Sequence, residues 1–290
     1  MWPQEITSFA EYLRARHYSP HTVLNYELDL RLFFGAAGKA PAEVTWRDVD
    51  RFIARQHERG LAATTINRRL NAVRSFYEFL MPERESNPIT PIKPSHFLRQ
   101  GRPLSKKLTG EEVRRLFSQI TNRMDRALFL LMLRCGLRVS EAAALKLTDL
   151  DWEEKAVLVR QGKGRKDRRV YLSPDAVAGL SECRGLRPEQ VPGGRFFWNQ
   201  KRRREPLSVK AIQKKMERYA LAAGVKASCH SLRHTFASNL LEAGAEVVSI
   251  REFLGHASIA SSERYAKLSN LKVKQVYLQA ISKVIGKTRV

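Results

Sequence analysis

The chain has 290 residues, a hydrophobic fraction of 43% and a formal net charge of +23 at pH 7. That length can form one large domain or two modest ones with hydrophobic cores, and we expect two. Every apolar run falls well short of the roughly 18 residues of a membrane span. The charge favours a polyanionic partner over a small substrate; nucleic acid is the first expectation and anionic lipid is the alternative.

The N-terminal residues Met-Trp-Pro-Gln-Glu contain no basic segment followed by an apolar one, so nothing predicts secretion. We therefore expect a cytoplasmic protein with reduced thiols. Its three cysteines, Cys135, Cys183 and Cys229, are odd in number and widely spaced, which argues against a disulfide framework and a zinc site. Cys229 precedes His230, but nothing nearby completes a thiol nucleophile triad, so we interpret it as a buried structural cysteine.

The first 86 residues predict four helices, because apolar residues recur there at helical spacing. Residues 1–90 carry 12 Lys and Arg against 11 Asp and Glu (+1), whereas residues 91–290 carry 40 against 18 (+22). The positive charge thus belongs to the second part of the chain. The predicted helix starts include Ser19-Pro20, residues 45–48 and residues 64–65.

Arg68, Arg69 and Arg74 lie on the fourth predicted helix. Charge alone does not distinguish a solvated helix face from a contact with a DNA groove or backbone, so both interpretations stay open here. We take the three arginines as candidate DNA-binding residues.

Residues 87–105 contain four prolines and Gly101, a composition that disfavours helix and predicts an extended linker. The linker separates a helical domain, residues 1–86, from a second domain, residues 106–290. A connector of this length could let the two domains hold opposite faces of a DNA duplex.

The second domain begins with a predicted capped helix at 108–117 and a buried apolar helix at 127–133. Arg138 follows Gly136 and precedes a short amphipathic run at 139–145, which predicts a turn that points the arginine into a cleft. By itself, such a residue is more often a structural arginine.

Two short apolar or β-branched segments, 156–160 and 168–172, flank the glycine-bearing stretch 161–167 and predict a β-hairpin. Lys163 lies at its tip, between two glycines. A lysine in that position, taken alone, is typical of a solvated side chain.

The rest of the chain predicts helices, so the sheet is a minor part of the fold. The fold class is therefore mainly α with a small β-hairpin or sheet, as a helical domain followed by an α+β domain. Lys201, Arg202, Arg203 and Arg204 form the densest charge run, which makes them candidate DNA-binding residues in a loop that contacts phosphates; a nuclear address is the alternative. The predicted helices are 174–183, 208–223, 231–243, 247–254, a short piece around residue 265, and 272–285.

A set of polar residues in the second domain has the chemistry of a phosphodiester site. Residues 230–234 read His-Ser-Leu-Arg-His, Gly255-His256 follows, and Tyr265 comes nine residues later. Two arginines can hold the oxygens of one phosphodiester, histidines can transfer protons near neutral pH, and a tyrosine hydroxyl can attack phosphorus. Each residue alone would be unremarkable in a protein core or surface. Their joint spacing is specific.

This order and spacing resemble the tyrosine recombinase, or phage integrase, family, and most of all its compact Xer-type members. The resemblance covers essentially the whole chain and implies a helical, SAM-like core-binding domain, a linker and a catalytic domain. It implies that Arg138 and Arg233 bind the scissile phosphate, that Lys163 protonates the leaving 5′ oxygen, and that Tyr265 is the nucleophile. The remaining implied roles are proton transfer and hydrogen bonding for His230 and His256, support of the site for Glu141, and structural support for His234.

The resemblance also implies an activity: site-specific cleavage and rejoining of double-stranded DNA through a 3′-phosphotyrosyl intermediate. The implied assembly is a homotetramer on the recombination site, joined by exchange of a C-terminal helix, with a second recombinase or an accessory protein as further partners. We expect no cofactor, because side chains supply the cations and the phosphotyrosyl bond conserves the energy of the broken linkage.

Two other functional classes use similar features. A type IB topoisomerase would share the chemistry but relax supercoils as a monomer; the short length and Xer-like N-terminal part favour recombination. A non-enzymatic DNA-binding regulator on a decayed scaffold is the third class, and the intact set of predicted catalytic residues argues against it. A covalent-trapping assay on DNA separates this third class from the two enzymes.

Overall fold

The computed structural model describes residues 2–80, 90–99, 107–160, 167–201, 205–255 and 266–288. The chain divides into two compact units, Met1–Arg102 and Pro103–Val290. Helices dominate both, and a single small sheet lies in the second, so the predicted fold class is confirmed. Among the described residues, none of the helices combines the length and hydropathy needed to cross a bilayer.

The first unit contains the four predicted helices. Ser19 caps the second one: its hydroxyl accepts a hydrogen bond from the Thr22 backbone nitrogen at 3.1 Å, and Pro20 occupies the first helical position. Aromatic side chains fill the core, where Phe76 packs edge-on against Phe9 and Phe34. The helices are α1 (Trp2–Ala15), α2 (Pro20–Ala37), α3 (Trp46–Glu58) and α4 (Ala63–Leu80).

Residues 90–99 pack on the first unit, whereas the sequence predicted an extended linker across them. Ile92 is buried in the core of that unit. The Asn67 side chain hydrogen-bonds both the nitrogen and the oxygen of Leu98, each at 2.9 Å. Proline spacing excludes a long helix, but it does not exclude a single turn such as Pro94–His96 or the burial of neighbouring apolar residues.

The second unit is built around the buried helix α6, which packs against α8 and α10. Thr109 and Glu112 form the predicted capping box before α5, with hydrogen bonds of 2.8 and 3.1 Å between backbone and side chains. The helices are α5 (Gly110–Ser118), α6 (Arg123–Cys135), α7 (Val139–Ala144), α8 (Pro174–Gly185), α9 (Val209–Ala222), α10 (Cys229–Glu242), α11 (Val247–Leu254) and α12 (Ala266–Lys287).

The sheet has three antiparallel strands in the order β1 (Leu150–Asp151), β2 (Ala156–Val159) and β3 (Arg168–Tyr171). The strands β2 and β3 are the predicted hairpin, with Val159 opposite Arg168. The strand β1 was not predicted, because two residues are too few to establish an alternating pattern. The register places Arg168 at the start of β3, immediately after the hairpin connection.

The last helix, α12, packs against its own unit. Tyr277, Ile281 and Val284 are buried with Phe236 and Phe253 in a common apolar cluster. The end of the helix is also anchored: the fully buried Arg134 donates hydrogen bonds to the backbone oxygen and hydroxyl of Thr288, at 2.8 and 2.7 Å, and a third to Asp175. These contacts hold the C-terminal helix beside α10 and α11.

Candidate active site

Arg138 owes its position to the turn between α6 and α7. Gly136 ends α6 with a left-handed conformation, φ +64°, and a Cβ there would overlap the Phe236 ring, so glycine is required on both counts. The Arg138 backbone nitrogen then donates to the Glu141 carboxylate at 2.7 Å and starts α7. The turn predicted at Arg138 is therefore present, and the arginine lies at a helix N-terminus.

Glu141 holds two arginines at once. It accepts a hydrogen bond from Arg138 Nη1 at 2.7 Å and one from each Nη atom of Arg168 at 2.8 Å. Burial by itself raises the pKa of this carboxyl, but the hydrogen bonds and charge of Arg168 and the hydrogen bonds of Arg138 outweigh burial and lower the pKa to about 2. Glu141 is therefore ionised at neutral pH and orients both guanidinium groups.

Arg233 lies on α10 and is buried. Its two Nη atoms donate to the backbone oxygens of Gly136 and Leu254, and the Glu141 carboxylate lies 3.9 Å away. Burial and the neighbouring charge of Arg138 lower the pKa of Arg233 to about 10, so the side chain stays cationic at neutral pH. Two arginines with fixed geometry thus occupy the same site.

His230 and His234 form a perpendicular pair one turn apart on α10. Ser228 caps this helix, so His230 falls in its first turn, where exposed backbone nitrogens favour anions. The two Nε2 atoms are 2.9 Å apart and share a hydrogen bond. Partial burial, together with the charges of His234 and Arg233, lowers the pKa of His230, which favours the neutral ring that can accept a proton.

Three of these side chains open onto one cleft of about 580 Å³. Arg138, His230 and Arg233 line the cleft, together with Gln213 and Glu217 of α9. The Arg138 side chain keeps 25% of its surface exposed, so it can donate to a ligand in the cleft. Two cations, a helix N-terminus and a neutral histidine suit a phosphate group that undergoes proton transfer.

Sequence reasoning missed Arg168. It is the partner of Glu141, and its Nε atom also donates to the Phe253 backbone oxygen at 2.7 Å. A signal was present, because Arg168 has the same strand parity as the buried Val170 and must therefore project toward the protein interior. Arg169, on the opposite face, pairs with Asp151 at the surface.

Several predicted site residues lie outside the described residues: Lys163, Arg202, Arg203, Arg204, His256 and Tyr265. The described site nevertheless reaches the neighbour of one of them. Arg138 Nη2 donates to the backbone oxygen of Gly255 at 3.2 Å, and His256 is the next residue in the chain. Tyr265 directly precedes α12 in the sequence.

The candidate DNA-binding arginines of the first unit differ in their surroundings. Arg68 pairs with the buried Asp29, and Arg69 donates to Gln56 with 13% of its side chain exposed. Both guanidinium groups therefore take part in contacts within the unit. Arg74 is exposed and stacks over the Phe97 ring at 5.3 Å. In the second unit, Lys201 is exposed.

Comparisons with known proteins cover both units. Residues 6–84 match the phage integrase N-terminal SAM-like domain, and residues 106–272 match the phage integrase family. Tyrosine recombinase XerA of Thermococcus kodakarensis is 33% identical over 289 residues, which span 97% of each chain.

Two solved structures share the fold. A crystal structure of XerA recombinase is 26% identical, with a TM-score of 0.51 over 95% of this chain and 98% of that chain. A lambda integrase tetramer bound to a Holliday junction is 17% identical, with a TM-score of 0.69 over 91% and 80% of the respective chains. The chain belongs to the phage integrase family and is a tyrosine-type site-specific recombinase.

Proposed function

We propose that the chain cleaves and rejoins double-stranded DNA through a 3′-phosphotyrosyl intermediate on Tyr265. The observation that carries this proposal is the convergence of Arg138, Arg233 and His230 on one cleft, although Arg138 is far from the other two in sequence. Residues that fold together in this way from separate elements match the requirements of a single phosphodiester.

The arginines would act on the transition state. Attack on a phosphodiester increases the negative charge on the nonbridging oxygens, and cations that are already fixed stabilise that charge more than they stabilise the ground state. Glu141 fixes Arg138 at 2.7 Å, and two backbone oxygens fix Arg233. Neither guanidinium group then needs to reorganise when the charge develops.

The proposed cleavage step forms a bond from the Tyr265 oxygen to phosphorus and breaks the bond from phosphorus to the 5′ oxygen. His230, with its lowered pKa, accepts the tyrosine proton, assisted by His256, and Lys163 donates a proton to the leaving 5′ oxygen. Rejoining is the reverse reaction, in which a 5′ hydroxyl attacks the phosphotyrosine. One phosphoester replaces another in each direction, so no nucleotide is consumed.

We assign residues 1–86 as a core-binding domain and residues 106–290 as the catalytic domain. The match of residues 6–84 to the SAM-like domain supports the first assignment. The candidate DNA contacts are Arg68, Arg69, Arg74 and residues 201–204. Arg74 and Lys201 have the exposure that phosphate contacts need, whereas Arg69 would have to exchange its partners within the unit.

The proposed assembly is a homotetramer on DNA, and the lambda integrase tetramer on a Holliday junction supports it by analogy of fold. We further propose that α12 is exchanged between neighbouring chains. The contacts of Tyr277, Ile281 and Val284 with their own unit define a site that a neighbour's α12 would fill in the same way. Because Tyr265 precedes α12, exchange would couple nucleophile placement to assembly.

A trapping experiment tests the chemistry. The protein is mixed with a pool of randomised duplexes, each nicked so that the short 5′-hydroxyl fragment is lost after cleavage. SDS-resistant adducts are sequenced to identify the site, and then digested and analysed by mass spectrometry. We expect a nucleotide on Tyr265; an adduct on another residue, or none, contradicts the proposal.

A plasmid with two copies of the recovered site distinguishes the two enzyme classes. A recombinase deletes or inverts the DNA between the copies in a manner that requires both. Relaxation of the plasmid without exchange would indicate a topoisomerase instead.

A further inference from the structure

Three consecutive backbone oxygens at the end of α11 accept hydrogen bonds from three arginines. Phe253 accepts from Arg168 at 2.7 Å, Leu254 from Arg233, and Gly255 from Arg138 at 3.2 Å. The last carbonyls of a helix lack partners within the helix and carry its negative dipole, so they suit cations. The arginines come from β3, α10 and the turn before α7.

Arg168 differs from Arg138 and Arg233 in that all three of its guanidinium nitrogens donate hydrogen bonds within the protein. Its Nε atom is used by Phe253 and both its Nη atoms are used by Glu141, and only 10% of its side chain is exposed. It is also absent from the lining of the cleft, which Arg138 and Arg233 share. Arg168 therefore does not present a free guanidinium group to a phosphate.

The Arg168 side chain also lies against Gly255, the residue that precedes His256 in the sequence. A Cβ on Gly255 would lie 3.1 Å from Arg168 Cδ, and Gly255 has a φ of +59°. Arg168 is thus enclosed between the Glu141 carboxylate and the end of α11. Its position depends on both.

We propose that Arg168 is a positioning residue for strand cleavage: it orients Glu141, and Glu141 in turn orients Arg138 toward the scissile phosphate. This inference rests on the proposed function. Without Arg168, Arg138 would be the remaining close partner of Glu141 among the described residues, and the carboxylate could shift toward Arg233, which lies 3.9 Å away. Arg138 would follow Glu141, because the two share a hydrogen bond of 2.7 Å.

A displacement of Arg138 should affect the rate of DNA cleavage more than the affinity for DNA. A misplacement of about 1 Å in a catalytic group can slow a reaction roughly 10²-fold. Arg168 itself would not touch DNA, so binding should change little. The signature is a slower cleavage step at saturating DNA with an unchanged Kd.

The test is a double-mutant cycle on the duplex recovered by trapping. Single-turnover cleavage is measured for the wild type, Arg168→Ala, Arg138→Ala and the double variant, with DNA in excess. We expect Arg168→Ala to slow cleavage by about 10² and the double variant to match Arg138→Ala within about twofold. Additive losses would overturn the role, since they would mean that Arg168 acts independently of Arg138.

Two further variants control for the loss of any arginine from this strand and for a failure of Arg168→Ala to fold. Arg169→Ala removes the next arginine on the same strand, which faces the surface and pairs with Asp151, and should cleave at the wild-type rate. If Arg168→Ala does not fold, as judged by circular dichroism, Arg168→Lys replaces it in the cycle. Lysine keeps the charge but has one nitrogen and cannot bridge Glu141 and Phe253 together.

The outcomes separate the two proposals. A wild-type chain that forms no adduct on Tyr265 overturns the proposed function. Additive losses in a chain that does form the adduct overturn only the role of Arg168. A weakened Kd with normal cleavage at saturating DNA also contradicts that role, because it would make Arg168 a DNA-binding residue.

Discussion

The Glu141 carboxylate binds Arg138 twice, once at the backbone nitrogen and once at the guanidinium group, each at 2.7 Å. The first contact starts α7 and the second orients the side chain that faces the cleft. A single acidic residue therefore connects the local helix start to the geometry of the site. Changes at Glu141 should affect both stability and catalysis.

Glu141→Gln should remove a pH-dependent part of the stability. The carboxyl has a pKa near 4.5 when unfolded and about 2 when folded, so its contribution is present above pH 4.5 and is lost as the pH falls toward 2. As the pH falls through this window, the free energy of unfolding of the wild type should therefore decrease by up to about 3 kcal/mol more than that of the variant. Urea unfolding at a series of pH values measures the difference. Glu111→Gln, at an exposed carboxyl, is the control, and parallel curves for wild type and Glu141→Gln would contradict the prediction.

The lowered pKa of His230 should appear in the pH profile of cleavage. If His230 accepts the tyrosine proton, the rate of single-turnover cleavage rises with pH and then reaches a plateau. The midpoint of this rise lies below pH 6.5, the ordinary pKa of histidine. His230→Gln should slow cleavage by about 10² to 10⁴ and abolish this limb. His234→Gln should move the limb to higher pH, because the charge of His234 helps to lower the pKa of His230. If the rise in cleavage rate with pH is unchanged in both variants, it reports the titration of another group.

Tyr265→Phe should keep DNA binding and lose the covalent adduct, because the substitution removes only the proposed nucleophilic oxygen. Gel-shift titration measures the first property, and SDS-resistant trapping on a nicked duplex measures the second. Tyr277→Phe on α12 is the matched control: it also removes a tyrosine hydroxyl, but one buried against the Arg134 backbone oxygen. An adduct that persists in Tyr265→Phe would refute the assignment.

Lys163→Ala should slow cleavage by about 10² to 10⁴, the usual effect of losing a general acid. A substrate with sulfur in place of the 5′ bridging oxygen should restore the rate, because a thiolate leaves without a proton. Equal slowing on the oxygen and sulfur substrates would mean that Lys163 only contacts DNA. The wild type on both substrates provides the reference.

Tyr277→Ala should destabilise the second unit by about 3 to 5 kcal/mol, because it empties a buried aromatic site and removes the hydrogen bond of 3.1 Å to Arg134. Leu278→Ala, at an exposed position of the same helix, should change stability by less than about 0.5 kcal/mol. Denaturant unfolding compares them. If the two variants unfold alike, α12 does not depend on this contact for docking.

Local sequence patterns were sufficient for much of the fold. Helix starts such as Ser19-Pro20 and the Thr109 capping box depend on residues only a few positions apart, and so do the two strands of the hairpin. The turn at Gly136 also belongs to this class, since the left-handed conformation is a property of one residue. For the candidate site, the motif at 230–234 predicted which chemical groups would be present.

Contacts between distant elements could not be predicted in this way. Arg168, Arg69 and Arg74 are all arginines in regular structure, yet the first two pair inside their units and the third is exposed. The residue type is the same in all three cases. Only the packing of neighbouring elements places a carboxylate or an amide within hydrogen-bonding distance of the guanidinium group. The burial of residues 90–99 and the docking of α12 have the same origin. Sequence spacing determines helices, strands and caps through short-range sterics and hydrogen bonds, whereas the partner of each charged group depends on which surfaces the tertiary fold brings together.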